Sequence, residues 1–480
     1  MSGHLPSDAR PWRVRRDEAL HNDMLRQTIG IVTRRLSAGK QSVFAEYPGA
    51  EVTRQAAIRA KRQAVRQLDS LIPLLRQRIE GNGGHTYLAE QAADAVSIVA
   101  QIAVDRNVRK VIKTKSMLTE ELQLNEGLHR VGVAVVESDL GEYIIQLARE
   151  APAHILAPAA HKGRSQIRAL FDEAADQSDM ARPDNDNAEQ LTKFARNRLR
   201  REFLEADMGI TGGNFLVAET GTLVLITNEG NADLVTSVPP ILVSVVGIEK
   251  LVATWEDLGH LIQQPAMHGI GQRLSSYTTM LSAPCRDELG EGPQEWHVVL
   301  VDNGRSSIRG SAFEDVLSCI RCGACLNVCP VFRQVGGHAY GTVYSGPIGV
   351  VETPLLSNFQ VGADLPTAAC TVCHACAEAC PMDIDLSHHI LRLRQEKVRR
   401  RLDAPSVRLT YRIWSGMWHT SAGYQRSLRL ARISQKIFVR RGVLKGGPGL
   451  LKGWFTSRDM PPIADVTFHE WWRQGGSRRE

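Results

Sequence analysis

Apolar residues recur at helical spacing over residues 52–80, where Ile58, Val65, Leu68, Leu71 and Leu75 form one face and predict a long helix. A second helix is predicted over 86–105. Beyond it, strand-length apolar runs alternate with helical ones: strand at 108–114, helix at 119–129, strand at 133–137, helix at 141–150 and strand again at 154–157. That order predicts a mostly parallel sheet covered by helices. A polar stretch at 176–190 predicts a loop, and 191–206 a helix. Residues 215–218 and 222–227 predict paired strands joined at Glu219, Thr220 and Gly221. Further on, 241–247 predicts a buried strand, 256–263 a helix and 296–302 a last strand. The first 50 residues read as an arginine-rich, partly helical lead-in. No run of about 18 apolar residues is present, and the start lacks the apolar stretch of a signal peptide. A soluble, cytoplasmic protein is expected.

Composition narrows the class. The chain has 480 residues, 43% hydrophobic and 23% charged, with a net charge of +6. These values argue against a disordered, collagen-like or coiled-coil protein, and the charge is too small for a dedicated nucleic-acid binder. Charge is unevenly spread, however. Residues 381–480 carry 20 basic and 8 acidic side chains, together with Trp414, Trp418, Trp454, Trp471 and Trp472. This basic region offers a surface for a partner or a peripheral membrane contact; the alternative is a helical cap on the preceding module with a solvated basic face. Neither G-x-G-x-x-G nor G-x-x-x-x-G-K-[ST] occurs, so neither a Rossmann-bound dinucleotide nor ATP on a P-loop is expected.

Nine cysteines carry the strongest chemical signal. Cys285 stands alone and reads as a buried thiol. The others form two groups of identical spacing: Cys319, Cys322, Cys325, Cys329 with Pro330, and Cys370, Cys373, Cys376, Cys380 with Pro381. C-x2-C-x2-C-x3-C-P is the bacterial ferredoxin pattern, in which the fourth cysteine serves the other cluster. The expected assignment is therefore crossed. Cys319, Cys322, Cys325 and Cys380 hold one [4Fe–4S] cluster; Cys370, Cys373, Cys376 and Cys329 hold the second. Zinc explains neither the third cysteine nor the proline, and disulfides are disfavoured in the cytosol. A Gly- and Pro-rich insert separates the motifs, and a helix capped by Ser387 is expected after the second. Helices around widely spaced motifs resemble the α-helical ferredoxin modules of succinate dehydrogenase and heterodisulfide reductase.

A family resemblance adds to this reading. KTKSMLTEE (113–121), VVESDLGEYIIQLARE (135–150), HILAPAAHK (154–162) and AETGTLVL (218–225) resemble the lactate-utilisation (LUD) domain. Followed by CIRCGACLNVCP and CTVCHACAEACP, they resemble the lactate utilisation B family of iron–sulfur subunits. The resemblance implies an α/β LUD domain, similar to ribose-5-phosphate isomerase and CoA-transferase domains, followed by an α-helical ferredoxin domain with two [4Fe–4S] clusters. The expected divisions are a helical lead-in (1–60), the LUD domain (61–305), the ferredoxin domain (306–400) and the basic, Trp-bearing region (401–480). It also implies an electron-transfer subunit of a multi-subunit L-lactate dehydrogenase system. Its companions would be a small cysteine-rich subunit and a second LUD-domain protein. The alternative is an oxidoreductase acting on another 2-hydroxy acid such as glycolate.

Within the LUD domain, strand ends offer candidate substrate-binding residues: Lys115 with Ser116, then Glu137 and Asp139, and the turn Glu219, Thr220, Gly221 and Thr222, whose amides could meet a carboxylate. Lys113, Glu142, His154 and His161 are further ionisable candidates. The bland readings are a helix cap for Asp139, a simple hairpin for the turn and structural histidines. No residue is assigned a catalytic role, and the electron acceptor and any bound flavin stay open.

Overall fold

Six short strands form one parallel sheet: β1 (His85–Ala89), β2 (Lys110–Lys113), β3 (Ala134–Glu137), β4 (Met208–Thr211), β7 (Ile241–Gly247) and β10 (Glu295–Val301). Their order across the sheet is β1-β10-β7-β4-β2-β3, and every neighbouring pair is parallel. The central strands are buried on both faces, which explains their near-continuous Val, Ile and Leu content. A second sheet, ordered β8-β5-β6-β9, comprises β5 (Phe215–Val217), β6 (Thr222–Thr227), β8 (Leu251–Val252) and β9 (Tyr277–Leu281). The computed structural model describes residues 8, 10–178, 180–285, 292–444, 455 and 458–475. It divides into two units, Met1–Glu396 and Lys397–Glu480.

Several elements differ from the expectation. The stretch 52–80 is two helices, Ala50–Arg66 and Leu68–Gly81. The break at Gln67 lets the first pack on the helix Trp255–Leu261 and the second on β1. What reads as one helix over 86–105 is β1 followed by Ala92–Asp105. The helix predicted over 119–129 is two short ones, Met117–Glu121 and Leu124–Arg130, parted where Gln123 takes a left-handed φ of 54°. Residues 154–157 are irregular rather than a strand. The buried His154 Nδ1 accepts the backbone N–H groups of Leu156 (3.0 Å) and Ala157 (3.3 Å), closing a local turn.

The lead-in is built into the first unit. The helix Asp23–Glu46 packs on Ala324–Val328 and Pro330–Val335, which flank Cys329. Lys40 Nζ donates to Ala379 O (3.0 Å) and Arg62 to Asp383 O (2.9 Å), so N-terminal side chains tie down the second cysteine motif. The insert between the motifs folds as short helices around an almost wholly buried one, Gly346–Leu356. After the second motif, the helix Leu386–Arg399 is capped by Asp385, whose carboxylate accepts the His388 N–H (2.9 Å). Ser387, the expected cap, instead lies 3.7 Å from Cys376 Sγ.

In the second unit, helices Pro405–Trp418 and Ser421–Gln435 pack together. Trp414 and Trp418 are exposed, with ring centroids 5.3 Å apart. Trp471 and Trp472 lie on the exposed helix Phe468–Arg473, while Trp454 lies outside the described residues. Among the described residues no helix is long and apolar enough to cross a membrane.

Candidate iron–sulfur centre and adjoining cavity

The two cysteine motifs adopt the same backbone. Arg321 and Val372 occupy matching positions with φ of 60° and 55°; Gly323 and His374 follow with 72° and 65°. Left-handed backbone is rare for non-glycine residues and an outlier for a β-branched one. At Arg321 and Val372 it accompanies backbone N–H groups turned toward sulfur, and residues of ordinary backbone after the cysteines add further donors. Val372 N–H donates to Cys370 Sγ (3.3 Å) and Phe332 N–H to Cys329 Sγ (3.5 Å); Ile384 N–H does the same at Cys380 (3.5 Å). Arg321 and Ala324 supply equivalent donors to Cys319 and Cys322. Cys329 and Cys380, each followed by proline, share an extended conformation (φ −73°, ψ 119° and φ −73°, ψ 120°) that ends the preceding helix.

The thiols gather across the motifs. Cys380 acts electrostatically on Cys322 and Cys325, and Cys319 acts on Cys380 in turn; Cys329 feels Cys370 and Cys373 and acts on Cys376. Burial first, then these neighbours, push Cys322 and Cys376 up to about 12 and Cys380 to about 11. All nine cysteines are free of disulfides. Clustered thiols, three of them buried and Cys373 exposed, with N–H donors fit a cationic iron–sulfide core, which supplies the positive charge that thiolates there require. Cys285, half-buried, lies outside both groups, with its N–H on Pro293 O (2.7 Å).

A cavity of about 360 Å³ opens beside the first motif, with Ile320 and Arg321 in its wall. Its floor is the carboxyl end of the parallel sheet: Lys115 and Ser116 follow β2, Gly213 follows β4, Lys250 follows β7 and Arg305 follows β10. Here β2 pairs with β3 on one side and β4 on the other, so successive connections leave in opposite directions, the point where such sheets bind ligands. Gly212 is required by close approach, since a Cβ there would sit 2.7 Å from Ser116 Oγ.

The sequence candidates divide. Lys115, Ser116 and Asp139 line the cavity. Ser116 and Asp139 also cap helices, through Thr119 N–H (3.4 Å) and Glu142 N–H (3.1 Å). Glu137 is buried behind the wall, paired with Lys113 at 2.8 Å. Burial would lower Lys113, but Glu137 and Glu120 outweigh it and hold the ammonium above its ordinary value. Burial pushes Glu142 up to about 8. Glu219, Thr220, Gly221 and Thr222 form the β5–β6 turn, packed against Arg78 and Ile79 and absent from the cavity wall. His161 pairs with Glu150 (2.7 Å), also away from the cavity. Lys250, Arg305 and Arg321 were missed. The strand-end positions of Lys250 and Arg305 were usable signals, whereas Arg321 is brought in by the cysteine motif.

His154 joins the two halves. Its Nδ1 already accepts, so Nε2 donates to Asn327 Oδ1 (3.2 Å) in the first cysteine motif. Burial, helped by Lys115, lowers it to about 4. A depressed folded-state value means its contribution is full above about 6.5 and is lost as pH falls through 4. The stability difference between wild type and His154→Gln, read by thermal unfolding, is expected to shrink from neutral pH to about pH 5.

Known proteins match this arrangement. Residues 72–301 match the LUD domain and residues 315–384 the 4Fe-4S dicluster domain. The chain is 40% identical over 464 residues to lactate utilization protein B of Oceanobacillus iheyensis, covering 96% of each. It is 39% identical over 468 residues to lactate utilization protein B of Shouchella clausii, covering 97% of each. This chain belongs to the lactate utilization protein B family. A solved structure of a DUF162 family protein from Deinococcus radiodurans covers 49% of this chain and 98% of its own at 16% identity, with a TM-score of 0.28. For this family member, the LUD match spans all six strands of the parallel sheet, and the dicluster match spans all eight motif cysteines.

Proposed function

We propose that this chain is the iron–sulfur electron-transfer subunit of an L-lactate-oxidising system. The observation that carries the reading is the pair of thiol groups assembled across the two motifs, in a chain whose relatives are named for lactate utilisation. Cys319, Cys322, Cys325 and Cys380 would hold one [4Fe–4S] cluster, and Cys370, Cys373, Cys376 and Cys329 the other. When bound, such clusters supply one-electron transfer. The backbone donors at Arg321, Ala324, Phe332, Val372 and Ile384 stabilise negative charge on the sulfurs. Arg321, ion-paired to Glu352 and stacked 4.4 Å over the Tyr344 ring, is held rigidly beside Cys319, whose sulfur its backbone N–H also meets.

Oxidation of lactate to pyruvate releases two electrons and two protons, so two one-electron centres in one chain suit it. The companions are a small cysteine-rich subunit and a second LUD-domain protein. With the co-purified complex held anaerobic, L-lactate is expected to bleach the visible sulfur-to-iron absorption and bring up an EPR signal, while glycolate does neither. Bleaching by glycolate alone would reassign the substrate; bleaching by neither would end the electron-transfer reading.

A further inference from the structure

The cavity beside Cys319 and Cys322 holds four cations, and they are not equivalent. Arg305 is neutralised by Glu121 (2.8 Å) and Glu249 (2.7 Å). Arg321 is neutralised by Glu352. Lys115 and Lys250 are half-buried in the same wall, and among the described residues neither ammonium has a hydrogen bond or an ion pair. A partly desolvated ammonium with no direct hydrogen-bond or ion-pair partner is costly, and here two face one cavity, with carboxylates acting on them only at longer range, Asp139 and Glu229 on Lys115 and Glu249 on Lys250. Lys250 is also held in place from below. The fully buried Lys61 Nζ donates to the carbonyl oxygens on either side of it, Glu249 O and, at 3.2 Å, Leu251 O.

The remaining polar groups restrict the ligand. Asp139 and Glu229 line the cavity near Lys115 and act on it electrostatically. Their carboxylates disfavour a polyphosphate, yet can accept a hydrogen bond from a hydroxyl. A single negative charge satisfied by the lysines, with a donating hydroxyl beside it, matches both halves of this lining.

We infer that the cavity at the ends of β2, β4, β7 and β10 binds a small 2-hydroxy carboxylate, with Lys115 and Lys250 as its carboxylate-binding cations. This rests on the lactate-oxidation reading and deepens it: the organic substrate would meet this chain directly, one residue from two cluster-ligand cysteines, rather than only a partner subunit. Lys115 and Lys250 are binding residues in this account.

The test uses the full-length chain purified anaerobically with its iron, titrated calorimetrically with L-lactate, with inorganic phosphate as competitor. Saturable lactate binding is expected, undisturbed by phosphate at matched ionic strength. Lys115→Gln and Lys250→Gln should each weaken it about tenfold or more, with unchanged iron, sulfide and EPR spectrum, while Lys115→Arg and Lys250→Arg retain most of the affinity. If the glutamine variants lose iron, the arginine variants and the phosphate competition decide. Absence of lactate binding to iron-replete wild type, equal displacement by phosphate, or wild-type affinity in both glutamine variants would each overturn the inference. Iron and EPR measured on the same samples keep the outcomes distinct. Clusters that are present and reducible without lactate binding remove this site alone; absent clusters remove the electron-transfer reading itself.

Discussion

Cys380→Ala is expected to abolish the same EPR signal as Cys319→Ala, although the two residues belong to different motifs. Cys329→Ala should likewise match Cys370→Ala, and each variant should retain about half of the iron. The reason is geometric. Both prolines stop a short helix just after the fourth cysteine, and the extended backbone there carries that sulfur out of its own loop. Cys380 then lies among the thiols of the first motif, and Cys329 among those of the second. Filling each motif from its own four cysteines gives the opposite grouping, with Cys380 paired spectroscopically to Cys370. The loss should also cost stability. Cys322, Cys329 and Cys376 belong to one apolar core with Leu326, Phe332 and Ile390, so an empty site leaves clustered thiols within it.

The second large effect is expected at Arg305→Met. The Arg305 and Glu121 side chains are 1% and 0% exposed. Glu121 accepts from Arg305 through both oxygens (3.0 and 2.8 Å), from Asn303 Nδ2 (2.6 Å) and from the Tyr344 hydroxyl, while Arg305 also meets Glu249. This network joins the helix after β2, the loop after β10 and the insert between the cysteine motifs. Removing the guanidinium strands two buried carboxylates, a change that costs about 3–5 kcal/mol. The pH dependence gives a second reading. Burial would raise Glu249, but Arg305, helped by Lys250 and Arg321, outweighs it and holds the carboxyl at about 2. In wild type that contribution is full above about 4.5 and is lost only as pH falls toward 2. In the variant the unpaired carboxyls take up protons more readily, so its deficit should narrow as pH is lowered from neutral to about 5. Hydrogen exchange at the β10 amides measures the difference; a deficit independent of pH would count against the ion pairs as its source.

How much of this was legible follows from what each signal measures. β2, β3, β6, β7 and β10 were readable because burial on one or both faces writes itself as apolar runs. The edge strands β1 and β9 were not, since His85, Tyr277, Thr278 and Met280 face solvent and carry no such pattern. The split at Gln67 was hidden because the apolar repeat runs through it; only the walls facing each half reveal the turn. In the cavity, Lys115 and Asp139 could be found by the strand-end rule. The same logic failed for Glu219 to Thr222, whose turn joins the second, antiparallel pair β5 and β6 and packs beside Ile79. The partners of Arg305 and Arg321, Glu121, Glu249 and Glu352, lie far off in sequence, and no local pattern encodes those pairings. Cysteine spacing was informative for the opposite reason: ligand geometry dictates it locally, down to the left-handed residues at 321 and 372.

The central claim is that eight thiols of this chain hold two iron–sulfide cores. Its most direct test is the iron and acid-labile sulfide content of anaerobically purified full-length protein. The account predicts about eight iron and eight sulfide per chain, with two interacting EPR signals on reduction. Zinc in place of iron, with no labile sulfide, would contradict it.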